Sequence, residues 1–124
     1  LEFEAAIAMV FGAMNGPLPA DEVQRIEHLR GTPRQAVVLG TWDSVLHGTL
    51  EELDATVEAL AAAITVPYLA LHGIDPGPGY AEWLTALVPS ATVEVWADHG
   101  HYPHLVDPAR FVARVAEFEA QVRA

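Results

Sequence analysis

The stretch V-P-Y-L-A-L-H-G, from Val66 to Gly73, decides the fold class. It is a short apolar run with a proline near its start and a glycine at its end, which is typical of a strand buried on both faces of a parallel sheet. A loop from Ile74 to Gly79, a helix from about Tyr80 to Leu87 and a second strand from Thr92 to Trp96 are predicted to follow. This order of elements predicts α/β architecture.

Helices are predicted on either side of the two strands. After a loop from Ala97 to Asp107, the Asp107-Pro108 pair is predicted to cap a last helix. Residues 1–62 predict four short helices, and the first three of them end at glycine-containing stops. Two capping boxes, T-P-R-Q from Thr32 and T-L-E-E from Thr49, are predicted to open the third and fourth of these helices.

Composition restricts the class of protein. The chain has 124 residues, and 6 Lys and Arg against 17 Asp and Glu give a net charge of −11, which argues against a nucleic-acid binder. Hydrophobic residues make up 52%, too many for a disordered acidic tail. Without cysteine there is no thiolate nucleophile and no Cys-ligated metal. No apolar run is long enough to span a membrane and no signal-peptide pattern opens the chain, so we expect a soluble, cytoplasmic protein.

Polar, glycine-rich loops follow both predicted strands. The first loop contains Asp75 in H-G-I-D-P, and the second reads D-H-G-H-Y-P-H from Asp98 to His104. In open α/β sheets the active site lies beyond the carboxyl ends of the strands. A carboxylate on one strand end and a histidine on the next form the supporting pair of a nucleophilic triad, because the carboxylate orients the imidazole that takes the nucleophile's proton.

The stretch from about Ile64 to Val122 resembles the C-terminal end of the α/β-hydrolase fold. In that family V-P-x-L-x-L-H-G-x-D-P ends the strand that presents the triad acid, and G-H-x-P-H-x-x-x-P presents the catalytic histidine. The resemblance implies that Asp75 is the acid and His101 the base, and that the reaction is the hydrolysis of an ester or another small acyl substrate without a cofactor. It also implies that residues 1–62 are the helical cap and residues 63–124 the C-terminal part of the hydrolase core.

Apolar residues of the cap segment are candidates for an acyl pocket, although such residues at helical spacing are more often buried in a core. They are Phe11, Met14, Trp42 and Leu46.

The nucleophile that the α/β-hydrolase family uses is not found in this sequence. The family's G-x-S-x-G elbow does not occur, and the two serines, Ser44 and Ser90, lie in a predicted helix and a predicted turn. Two strands are also few for a parallel sheet. We therefore expect the chain to be incomplete and inactive alone, with Leu1 marking a cut and the nucleophile on an N-terminal segment or on a partner chain.

Other interpretations remain open for the same residues. His99, His101 and His104 have the H-x-H-x-x-H spacing of zinc hydrolases that resemble metallo-β-lactamases, although no room is left for the remaining ligands. Asp75, which stands close to proline and glycine, could instead be a turn residue that bonds its own loop amides. Asp98 is a second carboxylate that could orient a histidine. A different class of function is a non-catalytic assembly or binding module, whose exposed sheet edges pair with another chain or with a second copy.

Overall fold

The computed structural model describes residues 2–124, and Leu1, at which we predicted a cut, lies outside them. Within these residues the chain forms seven helices and a two-stranded sheet, a mixed α/β fold that is mostly helical. The elements are α1 (Glu2–Asn15), α2 (Ala20–Arg30), α3 (Gln35–His47), α4 (Leu50–Ala62), β1 (Tyr68–His72), α5 (Tyr80–Leu87), β2 (Ala91–Val95), α6 (Pro103–Val106) and α7 (Pro108–Arg123).

The sheet consists of β1 and β2, which run parallel with Tyr68 opposite Ala91 and His72 opposite Val95. One face of the sheet packs against α4 and α5 in a small core, whose buried members are Ala61, Ala70, Leu84 and Val88. On the other face, α7 contacts β2 through an ion pair between Arg114 and Glu94. The sequence predicts a strand buried on both faces, but Ala70 is the one buried residue of β1, and Tyr68 at its start is exposed.

The two predicted capping boxes have different outcomes. Thr49 caps α4 with a complete box, since its side chain accepts from the Glu52 N–H and the Glu52 carboxylate accepts from the Thr49 N–H. The prediction of a capping box at Thr32 is wrong, because α3 begins at Gln35 and its N-cap residue, Arg34, makes no side-chain cap. Pro33, which the box would place at the first helical position, lines a cavity with residues of α1 and α2.

The last loop is shorter than predicted. Pro103 to Val106 form the short helix α6, inside the loop that the sequence predicts from Ala97 to Asp107. Asp107 then caps α7 by accepting a hydrogen bond from the Arg110 N–H, as predicted. No helix among residues 2–124 is both long and apolar enough to cross a membrane.

Burial is sparse and uneven along the chain. Its accessible surface is 8933 Å², whereas a folded monomer of 13.4 kDa exposes about 6,500 Å². Helices α1, α2 and α3 contain no buried residue. Large apolar side chains on these helices, such as Met9, Leu29 and Trp42, are therefore exposed.

Candidate active site

Backbone hydrogen bonds hold the two loops after β1 and β2 together. The Trp96 N–H donates to the His72 carbonyl at 2.7 Å, which continues the sheet by one bond. The Gly73 carbonyl then accepts from both the His99 N–H and the Gly100 N–H, each at 3.0 Å. The loop that contains His101 therefore rests directly on the loop that contains Asp75, as the parallel strands predict.

This crossing requires glycine on both loops. A side chain at Gly73 would overlap the Gly100 carbonyl, and a Cβ at Gly100 would lie 2.9 Å from Pro17 Cδ. Gly100 also has a left-handed backbone, with φ 64°. Because Gly16 and Pro17 connect α1 to α2, the turn between the first two helices packs against the histidine loop, and no sequence signal predicted this contact.

Two cavities open at this crossing. The first, which we call the acid cleft, has a volume of about 480 Å³ and contains Asp75 and Asp98 beside the turn at Gly16 and Pro17. The second, which we call the histidine cavity, has a volume of about 220 Å³ and is lined by His72 and His101 among others. Gly73, Ile74 and Gly100 line both cavities, so the candidate acid and the candidate base lie on two sides of one shared wall.

Asp75 makes a local turn. Its Oδ1 accepts a hydrogen bond from the Gly77 N–H at 2.9 Å, which is the turn role considered above. Within residues 2–124 its second oxygen has no hydrogen bond, and none joins Asp75 to His101. Asp98, the other carboxylate of the acid cleft, is the one described non-glycine residue with positive φ, at 66°. Asp tolerates this conformation better than most residues, and the turn it makes precedes the Gly100 contact.

The three loop histidines have separate contacts. His99 Nδ1 lies 3.0 Å from the Ala97 carbonyl, which can only accept, so this nitrogen carries the proton. His101 and His104 pack edge-on against the Tyr102 ring, at 5.0 and 6.2 Å between ring centroids. Residues 2–124 contain no group of three metal-ligating side chains placed to hold an ion, so the geometry does not favour the zinc interpretation.

His72, which is not among the predicted site residues, also lies at this site. His72 ends β1, and its ring packs edge-on against Tyr80 with 4.8 Å between centroids. Its Nε2 is buried and has no hydrogen-bond partner among the described residues. The position at the carboxyl end of a strand, one residue before Gly73, was the available signal for it.

The predicted acyl-pocket residues lie elsewhere. Phe11 lines a separate cavity of about 190 Å³ between α1 and α2, where the Arg30 guanidinium lies 3.7 Å from its ring centroid. Trp42 and Leu46 on α3 are 54% and 57% exposed. Met14 is partly buried on α1. None of the four lines the acid cleft or the histidine cavity.

Neither serine lies at this site. Ser90 precedes β2, at the opposite end of the sheet from His101, and its hydroxyl donates to the Val66 carbonyl at 2.8 Å. Ser44 lies on α3 and lines a cavity with Asp43 and His47, whose side chains pair at 3.0 Å. That pair is an exposed i,i+4 contact on one helix, which is common on solvated helix surfaces.

No model of a known protein family, no curated protein and no solved structure matches this chain. Its function is therefore inferred from the site itself.

Proposed function

We propose that this chain supplies the acid and the histidine of an α/β-hydrolase-type catalytic triad, and that it acts on an ester or another small acyl substrate. The observation that supports the proposal most is the double hydrogen bond from the His99 and Gly100 N–H groups to the Gly73 carbonyl. It holds the Asp75 and His101 loops against each other at the carboxyl ends of two parallel strands. That position is where α/β enzymes assemble side chains for catalysis.

The proposed roles follow from the chemistry of the two side chains. His101 takes the proton of the nucleophile as general base and returns it to the leaving group as general acid. No hydrogen bond joins Asp75 to His101 among residues 2–124, and the proposed role requires one from His101 Nδ1–H to the Asp75 oxygen that the Gly77 turn does not use. In that position the carboxylate would stabilise the imidazolium that forms. The histidine cavity, which His101 lines, is the space in which the nucleophile and an acyl substrate would meet.

The nucleophile in this proposal belongs to polypeptide outside the 124 residues. Ser90 is held by the Val66 carbonyl at the far end of the sheet, and Ser44 lies on α3. A nucleophile must reach the base within hydrogen-bond distance, about 2.6–3.2 Å. A serine on a further strand-to-helix turn, beside the histidine cavity, would meet this requirement.

A second candidate function is a non-catalytic assembly module. The large accessible surface of 8933 Å² and the exposed apolar side chains of α3 favour a chain that is covered by another polypeptide. This function requires no chemistry from Asp75 or His101, so the two candidates are separated by a test for a reactive nucleophile.

The experiment is to purify the protein under non-denaturing conditions from the cells that make it, using an antibody against this chain. The purified material is treated with a fluorophosphonate, and the adduct is mapped by mass spectrometry together with intact masses and N-terminal sequences. We expect one adduct, on a serine outside the 124 residues in the same or a copurifying polypeptide. An adduct on Ser44 or Ser90 would refute the proposed location of the nucleophile. Absence of any adduct and of esterase activity would favour the assembly module.

A further inference from the structure

A cavity of about 190 Å³ lies between α1 and α2, away from the candidate active site. Three residues of α1 at four-residue spacing, Phe3, Ile7 and Phe11, form its apolar side. Arg30 at the end of α2 and Pro33 in the connection to α3 also line it. Because the cavity shares no lining residue with the acid cleft or the histidine cavity, it is a separate site.

The guanidinium of Arg30 is only partly satisfied by this chain. Its centre lies over the Phe11 ring, 3.7 Å from the centroid. This contact attracts the positive charge, but it provides no lone pair for the N–H donors of the guanidinium. Nη2 is buried and has no hydrogen-bond partner within residues 2–124. A buried, charged donor without an acceptor is unfavourable, so the cavity contains a group that an anionic ligand would satisfy.

Two glutamates also line the cavity, but neither pairs with Arg30. Glu4 and Glu27 are exposed, and no ion pair within residues 2–124 includes Arg30. Their charges therefore leave the guanidinium available while they act on any ligand that enters. Two negative charges beside the cavity repel a dianion such as phosphate more strongly than a monoanion. The expected ligand therefore has a single negative charge.

The volume and the apolar wall restrict the rest of the ligand. An apolar cavity of about 150 Å³ is large enough to bind benzene. The cavity here, at about 190 Å³, therefore has room for one aromatic ring and a carboxylate. Phe3, Ile7 and Phe11 are all partly buried and provide an apolar surface for the ring. A carboxylate is the anion that matches the guanidinium best, since it accepts two parallel hydrogen bonds from it.

We propose that the cavity between α1 and α2 binds a small aromatic monocarboxylate. The carboxylate accepts hydrogen bonds from Arg30, and the ring packs against Phe3 and Phe11. Binding at this cavity does not depend on the proposed catalysis, because it uses neither Asp75 nor His101. The net charge of −11 disfavours non-specific binding of anions to the surface. An aromatic carboxylate that binds must therefore use a specific cationic group.

The first test is isothermal titration calorimetry with three probes. Benzoate has the ring and the charge, benzamide has the same shape without the charge, and acetate has the charge without the ring. The chain is used as it is purified, with any copurifying polypeptide retained. We expect benzoate to bind with a Kd of about 1 mM or lower, and benzamide and acetate to bind at least about tenfold more weakly. A benzoate Kd above about 10 mM, or equal binding of benzoate and benzamide, would overturn the proposal.

Two matched variants locate the binding. Arg30→Gln removes the charge and should weaken benzoate binding by more than about tenfold, to the level of benzamide. Arg34→Gln removes the same charge from an exposed arginine that does not line the cavity, and it should change the Kd by less than about twofold. Equal losses in the two variants would overturn the proposal, because binding would then follow the net charge of the surface.

A last measurement needs no variant to fold. Nuclear Overhauser effects are recorded between the benzoate ring protons and assigned side chains of the wild-type chain. We expect them at the Ile7 methyl groups and the Phe11 ring, and none at Trp42, an exposed aromatic side chain outside the cavity. Bound benzoate without contacts to Ile7 and Phe11 would overturn the proposal, since the ligand would then occupy another site.

Discussion

The helical residues 2–62 and the strand-containing residues 64–124 are both rich in apolar side chains, but they bury them differently. In the second region Ala70, Leu84, Val88 and Trp96 are buried around the sheet. In the first region the described buried residues are Leu18 in the α1–α2 connection and Ala61 on α4, which packs against the sheet. On one face of the sheet α4 and α5 each bury a residue in the core, whereas α1 to α3, and also α7 on the other face, contain no buried residue. An apolar helix face therefore becomes buried only where a second layer meets it.

The predicted site residues are divided between the same two regions. Asp75 and His101 belong to loops that the two strands position, while the predicted acyl-pocket residues of the first region lie on helices without such support. The contact between the two regions at the site is the turn at Gly16 and Pro17 against Gly100.

Apart from the loss of His101, the largest expected effect concerns the charge of Asp75. Asp75→Asn retains an oxygen that can accept from the Gly77 N–H, so the turn and the fold should survive while the charge is lost. In the protein that includes the nucleophile, we expect kcat to fall by about 10⁴-fold. Asp75→Ala removes both the charge and the turn bond and should also lower stability. Full activity of Asp75→Asn would mean that Asp75 serves the turn alone.

The next largest effect concerns glycines in the two regions. Gly100→Ala places a Cβ 2.9 Å from Pro17 Cδ at a left-handed φ of 64°, and we expect it to destabilise the chain by about 2 kcal/mol. Gly12 lies inside α1, and a Cβ there meets nothing within 4 Å. Gly12→Ala should therefore stabilise α1 by about 0.5–1 kcal/mol. Urea unfolding of both variants measures the difference, and equal effects would contradict the contact between Gly100 and Pro17.

The smaller effects concern the two threonine boxes of the first region. Thr49→Ala removes a cap whose side chain bonds the Glu52 N–H, and we expect a loss of about 1 kcal/mol. Thr32→Ala should change the free energy of unfolding by less than about 0.5 kcal/mol, because Thr32 caps no helix. Chemical denaturation monitored by circular dichroism compares them. A larger loss from Thr32→Ala would mean that α3 begins at the residue that the sequence predicts.

The Thr49 box also predicts a dependence on pH. Hydrogen bonds from the Thr49 N–H and hydroxyl lower the pKa of Glu52 below its ordinary value of 4.5. A carboxyl whose pKa is lowered on folding contributes stability above its unfolded pKa and loses it as the pH falls through the folded value. The stability of the wild type relative to Glu52→Gln should therefore be constant above about pH 5 and decrease below about pH 4.5. If the difference in free energy of unfolding between the wild type and Glu52→Gln does not depend on pH, the capping box does not stabilise the ionised form of Glu52.

The features that the sequence predicted correctly depend on neighbouring residues. The apolar run at β1, the capping box at Thr49 and the Asp107 cap of α7 each involve groups close together in the chain. The adjacency of the Asp75 and His101 loops was also predictable, because parallel strands end at the same edge of a sheet. The four-residue helix α6 was not, since one turn has too few residues to show helical periodicity.

The features that could not be predicted depend on contacts between distant segments. Pro33 lines a cavity with Phe11 and Arg30, and α3 begins later than its capping signal. The approach of Gly16 to Gly100 joins residues far apart in the chain. The apolar spacing of Trp42 and Leu46 likewise predicts a buried or ligand-facing surface, but a pattern does not say whether another element is there to cover it.

The most direct test of the proposed catalysis compares His101→Ala with His104→Ala in the protein that includes the nucleophile. Both histidines contact the Tyr102 ring, and His104 also packs against Phe111, so His104→Ala removes at least as many ring contacts as His101→Ala. If His101 is the general base, His101→Ala lowers kcat by about 10⁴-fold or more, and His104→Ala lowers it by less than about tenfold. A loss of less than about tenfold in His101→Ala, with the fold intact, would contradict the account.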